Sequence, residues 1–319
     1  MKTRAAQLRK PGEVVLVERE LTVADDEVLV KGHLSGVCGS DKSMYRGDIP
    51  PKIKLPFFIG HESGGTVVEV GSKVREYKPG DPVMVFNWCN TFADYYAVSV
   101  SGLQPVPEGL DLDLAALGEP IACATYSGLT CGAQLADVVV VYGMGFAGQI
   151  IAQMVKKMGA YRVVAVDVAQ DKLDTAKRLG SDIAFNAQSE DPVQAVLDLT
   201  KGRGADVVVE AAGSEKSMNQ ATAMLKHNGI LVLYSWITQP VTLNIGRWHD
   251  DGLEIRTTCL VHHTEQERYI RTPWALRPVV QGQIDIRSLI THEFPLERIA
   301  EAFEVADKDS AAIKVVVRP

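Results

Sequence analysis

The feature that most constrains this 319-residue chain is a glycine-rich turn between an apolar run and a helical pattern. Val138-Val-Val-Val-Tyr142 predicts a buried strand, and G-x-G-x-x-G follows it directly, before a predicted helix. The first glycine permits the tight turn, the second lets the backbone approach a pyrophosphate, and the third lets helix and strand pack closely. The helix N-terminus adds unpaired N–H groups and a positive dipole end for the phosphates. The run therefore predicts a dinucleotide site formed by Gly143, Gly145, Phe146, Ala147 and Gly148.

An acid at the end of the next predicted strand indicates which dinucleotide binds. Asp167 lies about 20 residues beyond the glycines, where a carboxylate takes the adenosine ribose hydroxyls. It would also repel a 2′-phosphate, so the sequence favours NAD over NADP, and Lys172, the nearest cation, softens that preference. The alternative is that Asp167 only caps the helix that follows.

Two kinds of pattern predict two domains of an α/β protein. The first hundred residues carry short Val-rich runs broken by Gly, Pro and Asp turns, typical of a β-rich domain. From about residue 120, strands alternate with helices, which is typical of βαβ units and a parallel sheet. The predicted strands are 13–17, 27–30, 65–70, 83–86, 137–142, 162–167, 206–210, 230–234, 253–260 and 312–317, and the predicted helices are 147–158, 171–179, 215–226, 265–281 and 296–306.

Composition excludes several classes of partner. Lys and Arg total 33 against 40 Asp and Glu, and the formal charge of −7 without a basic run argues against nucleic acid. No apolar run approaches the ~18 residues of a membrane span, and the N-terminal segment lacks the apolar core of a secretory signal. Five scattered cysteines do not form a disulfide framework, so we expect a reducing cytoplasm.

Two short segments of the β-rich half, both in predicted turn regions, carry metal-binding residue types. The run Gly-Val-Cys-Gly-Ser-Asp occupies 36–41, and Gly-His-Glu occupies 60–62. Thiolate, imidazole and carboxylate with one open water position suit a catalytic zinc, whereas closed structural sites prefer four Cys or His. Asp41 can hold the second imidazole nitrogen of His61. A small buried cysteine and an ordinary histidine are the alternative. The candidate ligands are Cys38, His61, Glu62 and Glu119.

Taken together, these motifs resemble the zinc-containing medium-chain dehydrogenases, especially the sorbitol and threonine dehydrogenase branch. The 36–41 run looks like the family's first zinc-ligand loop, and 60–62 with glycines at 65 and 71 looks like the second. Leu-Gly-Glu-Pro at 117–120 resembles the polyol-dehydrogenase form of the third ligand segment. The glycine fingerprint and the C-terminal 291–317 segment follow in the family's order, so the resemblance covers nearly the whole chain.

The resemblance implies a GroES-like catalytic domain over 1–121 and 261–319 and a doubly wound Rossmann domain over 122–260. It makes Cys38 and His61 zinc ligands, with Glu62 and Glu119 as an acidic pair of which one ligates and the other lies nearby or exchanges with water. Ser40 resembles the hydroxyl that begins the proton relay. One catalytic zinc and NAD are the implied cofactors, and a homodimer or homotetramer is the implied assembly.

Two departures from the family pattern change these expectations. Many relatives carry a four-cysteine structural-zinc lobe, whereas 81–96 contains only Cys89, so we expect the lobe to be absent. Many relatives also have a relay histidine five residues after the ligand cysteine, where this chain has Ser43, which leaves the outer relay unresolved.

The function predicted from these features is a zinc-dependent alcohol or polyol dehydrogenase that acts on a small-molecule alcohol or ketone. A zinc-free quinone or enone reductase of the same fold and a non-catalytic NAD-binding protein are the alternatives, and the intact metal ligands count against both. Segments that flank the cleft in relatives contain a possible pocket wall, with packing or surface exposure as the alternative role: Trp88, Trp248, His262 and His263.

Overall fold

The computed structural model describes residues 1–87, 90–237 and 239–319, and for His262 its backbone alone. The strands are β1 (Lys2–Lys10), β2 (Glu13–Glu20), β3 (Glu27–Gly36), β4 (Phe57–Phe58), β5 (Glu62–Val70), β6 (Pro82–Val85), β7 (Tyr95–Ser99), β8 (Leu103–Pro105), β9 (Val138–Tyr142), β10 (Arg162–Asp167), β11 (Ile183–Asn186), β12 (Ala205–Glu210), β13 (Leu225–Leu233), β14 (Glu254–Thr257), β15 (Ile290–Pro295) and β16 (Lys314–Arg318). The helices are α1 (Gly39–Arg46), α2 (Leu112–Ala116), α3 (Gly118–Thr130), α4 (Phe146–Lys157), α5 (Gln170–Arg178), α6 (Pro192–Leu199), α7 (Glu215–Ala223), α8 (Gly246–Asp250), α9 (Glu265–Val280) and α10 (Ile299–Lys308).

One compact unit is β-rich and comprises Met1–Pro120, Thr264–Leu276 and Ile286–Pro319. Its larger sheet has the order β15-β16-β3-β5-β6-β8, with β7 also paired to β3, and β1 pairs with β2 and β4 in a smaller sheet. Valines of β3, β5 and β6 pack with Tyr96 of β7 in a buried core. Because β3 has β5 on one side and β16 on the other, residues far apart in sequence meet at its C-terminal end.

The second unit comprises Ile121–His263 and Arg277–Asp285 and contains a parallel sheet. Its strand order is β11-β10-β9-β12-β13-β14. Every residue of β9 is buried, as expected of a parallel strand covered on both faces. The order reverses beside β9, which is the switch point where nucleotides bind in sheets of this kind. The predicted α/β class with a doubly wound Rossmann sheet is confirmed.

The two compact units can be compared with the predicted domains, whose boundaries fall after residues 121 and 260. The second unit begins at Ile121, and its main segment ends at His263. It also includes Arg277–Asp285, which the predicted division assigns to the other domain. Among the described residues, no helix is both long enough and apolar enough to cross a bilayer.

Two local predictions need correction. The helix predicted over 215–226 ends at Ala223, because Leu225 already begins β13 and pairs in parallel with Ala205 of β12. The segment around Cys38 was expected to be a turn, but Cys38 directly precedes a helix, α1. The edge strand β11 and the helix α6 lie in a stretch for which the pattern predicted no element; β11 is half-buried along its whole length and shows no alternation.

Candidate functional site

Three of the four predicted metal ligands meet in the β-rich unit. The Sγ atom of Cys38, a ring nitrogen of His61 and a carboxylate oxygen of Glu62 all lie within 4.8 Å of one another. Pairing of β3 with β5 aligns Gly36 with Glu62 and so brings the two segments together. Glu119 lies at the start of α3, outside this three-donor group. In the part of the chain that the structure describes, no second group of three such donors lies this close.

Asp41 and Ser40 stand on opposite sides of the His61 ring. Asp41 is buried, its Oδ2 accepts a hydrogen bond of 2.9 Å from the Cys38 amide, and its Oδ1 lies 3.6 Å from His61 Nδ1. Ser40 Oγ lies 3.4 Å from Nε2 of the same ring. Asp41 therefore holds the Cys38 backbone by a hydrogen bond and places a carboxylate oxygen beside the imidazole, where support of a metal ligand stays a prediction.

Sequence reasoning gave no role to Lys314, which also belongs to this cluster. Its side chain is 4% exposed, and Nζ donates to Glu62 Oε2 at 2.6 Å and to the Val37 carbonyl at 3.3 Å. A lone lysine in the apolar run 312–317 was the available signal, because a buried ammonium needs an anionic partner. The partner could not be identified without the pairing of β16 with β3.

Burial and mutual charge set the proton affinities of the cluster. Burial and the Glu62 carboxylate raise the pKa of Cys38. Burial lowers the pKa of His61, but Asp41 and Cys38 outweigh it and raise that pKa well above its ordinary value. Burial likewise opposes a raised pKa of Lys314, and Glu62 and Cys38 overcome it. A dense set of thiol, imidazole and carboxylate donors suits a zinc ion.

The remaining predicted residues of the β-rich unit and the pocket wall lie as follows. Ser43 is a partly buried residue of α1, and its carbonyl accepts a bond from the Asp48 amide. The His263 ring meets the Tyr126 ring edge-on at 5.4 Å, and Trp248 packs against the core of the parallel sheet. Trp88 and the His262 side chain lie outside the described residues, and so does Cys89. Trp248 also donates from Nε1 to Thr222 Oγ1 at 3.3 Å.

The glycine fingerprint forms a tight turn between β9 and α4 in which two of the glycines have no room for a side chain. Gly143 has a φ of +102°, and an added Cβ would lie 2.6 Å from the Ala211 backbone. A Cβ on Gly148 would lie 1.8 Å from the Gly143 carbonyl oxygen, so only glycine lets α4 pack so closely on β9. A Cβ on Gly145 would meet nothing within 4 Å, which leaves open space before the N-terminus of α4. Phe146 and Ala147 form the first turn of that helix.

Asp167 ends β10 beside the fingerprint and is only 9% exposed. Its Oδ2 accepts from the Met144 amide at 2.6 Å, and its Oδ1 accepts from the Ala169 amide at 2.9 Å. Ala169 is the N-cap residue of α5, and that helix has no side-chain cap hydrogen bond, so Asp167 contacts the chain just before the helix without capping it. Each carboxylate oxygen can accept a second bond, which leaves capacity for ribose hydroxyls. Lys172 is partly exposed, and its carbonyl accepts from Gln149.

Two family models match the chain. Residues 24–108 match the alcohol dehydrogenase GroES-like domain, and residues 147–272 match the zinc-binding dehydrogenase domain. The first match contains Cys38, His61 and Glu62, and the second begins inside the glycine fingerprint.

Relatives and solved structures align with nearly the full chain. Sorbitol dehydrogenase of sheep (Ovis aries) is 29% identical, with 92% of this chain and 89% of the relative covered. L-threonine 3-dehydrogenase of Bacillus licheniformis is 27% identical, with 98% of each covered. An alcohol dehydrogenase of Escherichia coli CFT073, solved with NADH, is 25% identical, with 100% of this chain and 99% of that chain covered and a TM-score of 0.85.

Proposed function

Since the chain belongs to the zinc-containing medium-chain dehydrogenase/reductase superfamily and is an oxidoreductase of the alcohol dehydrogenase type, we propose that it transfers a hydride between a secondary alcohol and NAD with one catalytic zinc. The observation that carries this proposal is the three-donor group of Cys38, His61 and Glu62 within 4.8 Å. The substrate class that we propose is a polyol, sugar, cyclitol or amino alcohol, in line with the sorbitol and threonine dehydrogenases.

The residues of the β-rich unit would hold the metal and move the substrate proton. Cys38, His61 and Glu62 are the proposed ligands, and Glu119 lies near enough to add to the charge felt by Lys314. When bound, zinc supplies Lewis-acid chemistry that lowers the pKa of an alcohol hydroxyl. Ser40 is the proposed first hydroxyl of the proton relay: it would accept the released proton as it passes its own proton on towards water, and it lies on the Nε2 side of the His61 ring. Asp41 fixes the ring and the cysteine backbone.

The parallel-sheet unit would hold the dinucleotide. Gly145 leaves room for a pyrophosphate, and the N-terminus of α4 offers amide donors to it. Asp167 would take the ribose hydroxyls, which favours NAD over NADP. NAD supplies the hydride acceptor when bound.

A substrate screen with zinc-loaded protein tests the proposal. Polyols, cyclitols and amino alcohols are offered with NAD, and the appearance of NADH is followed by absorbance. We expect oxidation of at least one of them, about one equivalent of zinc per chain by metal analysis, and loss of turnover in Cys38→Ala. Cys131→Ala is the matched control. This cysteine is also buried, but it donates to the Gly128 carbonyl and does not belong to the three-donor group.

Three results would overturn the proposal. Full activity after metal removal would move the chain to the zinc-free reductases, and NADH binding without turnover on any alcohol would favour a non-catalytic role. A zinc content near two per chain would show that the segment 81–96 is misinterpreted.

A further inference from the structure

Lys314 places a full positive charge inside the candidate metal cluster. Lys314 is 3% exposed and Glu62 is 1% exposed, so neither charge is screened by water. Taking two charges out of water is costly, and good geometry with close pairing offsets the cost only in part. A hydrogen bond of 2.6 Å between Nζ and Oε2 provides that pairing. Because burial of this ammonium is costly, its position beside three metal donors indicates that it affects how the site binds a metal.

The backbone fixes this pair in place. β16 runs antiparallel to β3 with Val316 opposite Gly36, and β3 runs antiparallel to β5 with Gly36 opposite Glu62. Gly36 lies between the two side chains, and a Cβ there would come 2.5 Å from Glu62 Oε2 and 3.4 Å from Lys314 Cδ. Because residue 36 is glycine, the space beside its backbone is free for the Glu62 carboxylate and the Lys314 side chain to meet.

The same carboxylate is both a metal donor and the partner of the lysine. The ammonium occupies Oε2, and an ammonium and a metal cation repel each other strongly at short range in a low-dielectric interior. We propose that Lys314 is a positioning residue that competes with zinc for the Glu62 carboxylate and so weakens the bond that Glu62 makes to the metal. This inference rests on the proposed function, in which zinc binds at Cys38, His61 and Glu62.

Removal of the positive charge should tighten metal retention. In zinc-loaded Lys314→Met, a chromogenic chelator should extract the metal about tenfold more slowly than from the unmutated protein, since outer partners of metal ligands commonly change metal affinity by about 10- to 100-fold. Lys314→Arg keeps the charge and should release zinc no more slowly than the unmutated protein. With Co²⁺ in place of zinc, the visible absorption spectrum should change in the Met variant and be retained in the Arg variant. A merely structural lysine would instead give faster zinc loss in both.

Glu62→Gln tests whether the lysine acts through the carboxylate. In the Glu62→Gln background, Lys314→Met should no longer slow zinc release, because the carboxylate through which the lysine acts is gone. The difference between the effect of Lys314→Met in the two backgrounds measures this coupling. Lys314→Gln, which loses the charge and keeps a hydrogen-bond donor, gives the same test if the Met variant does not fold. Unmutated protein that takes up no zinc would overturn the proposed function itself. Unmutated protein that holds zinc, with neutral variants that release it as fast or faster, would overturn the competition alone.

Discussion

Alanine at the third glycine of the fingerprint should destabilise the parallel-sheet unit. A methyl carbon on Gly148 would lie 1.8 Å from the Gly143 carbonyl oxygen, against an ordinary contact of at least 3.4 Å. The deficit of 3.4 − 1.8 = 1.6 Å cannot be absorbed by a side chain, because the obstacle is backbone. α4 must therefore move away from the sheet and take the buried Ile150 and Ile151 with it. Overpacking costs about 1–3 kcal/mol, and we expect the upper end here.

Alanine at the second glycine should leave folding nearly unchanged and weaken cofactor binding. Gly145 has a φ of −69°, which alanine adopts freely, and its Cβ would meet no atom within 4 Å. Loss of glycine at a helix N-cap should cost no more than about 1 kcal/mol. The methyl group would, however, fill the space proposed for the pyrophosphate. We expect the affinity for NADH to fall at least about tenfold, or ~1.4 kcal/mol.

Thermal unfolding of the cofactor-free proteins and fluorescence titration with NADH separate the two effects. Gly148→Ala should lower the melting temperature clearly, and Gly145→Ala should change mainly the NADH affinity. A Gly148→Ala protein as stable as the unmutated one would refute the packing argument. A Gly145→Ala protein that binds NADH as tightly as the unmutated one would refute the placement of the phosphates.

Three other changes test the cofactor preference, the metal site and the charges of the fold. In the unmutated enzyme, lost hydrogen bonds and charge repulsion of ~2–3 kcal/mol should give NAD a preference of about a hundredfold over NADP. Asp167→Ala should shrink this preference, measured as kcat/KM with each cofactor. Equal use of both cofactors by the unmutated enzyme would contradict the assignment. His61→Ala should abolish turnover but leave the NADH affinity unchanged in titration, because the proposed NADH contacts lie in the parallel-sheet unit; a parallel loss of NADH binding would point to a folding defect. Burial raises the pKa of Asp206, but pairing with Arg203 and Lys226 outweighs it and lowers this pKa to about 2. Because that value lies below the ordinary 3.8, the carboxylate contributes about 2 kcal/mol of stability above about pH 4, which is lost as the pH falls towards 2. Asp206→Asn should remove this acid-dependent part of the unfolding curve, and an unaltered curve would show that the pairing contributes little.

Most strands of the parallel-sheet unit could be predicted because they are continuous apolar runs. Val138–Tyr142 and Arg162–Asp167 are bounded by turns and helical patterns, and both appear within a residue of the predicted limits. The end of α7 could not be predicted from local pattern. Met224, Leu225 and Lys226 suit a helix equally well, and only the parallel pairing of Leu225 with Ala205 places Leu225 and Lys226 in β13.

The candidate metal site could likewise be predicted only in part. Cys38, His61 and Glu62 could be singled out because thiol, imidazole and carboxylate are chemically distinctive residue types in two short motifs. Lys314 lies 252 positions from Glu62, and a lone lysine in an apolar run signals a buried cation without identifying its partner. Its role depends on which strand lies beside β3, and that is a property of the sheet order.

The candidate metal cluster pairs its buried charges before any metal ion is bound. Lys314 faces Glu62, and His61 faces Asp41, whose charge helps raise the imidazole pKa in spite of burial. Burial and Glu62 raise the pKa of Cys38, which favours the protonated thiol over the thiolate. Thiolate and neutral imidazole are the forms that bind a metal, so an incoming divalent ion must displace the protons of Cys38 and His61. Protons therefore compete with the metal, and zinc content after dialysis at a series of pH values should fall as the pH falls; retention that is independent of pH would contradict this pairing of charges.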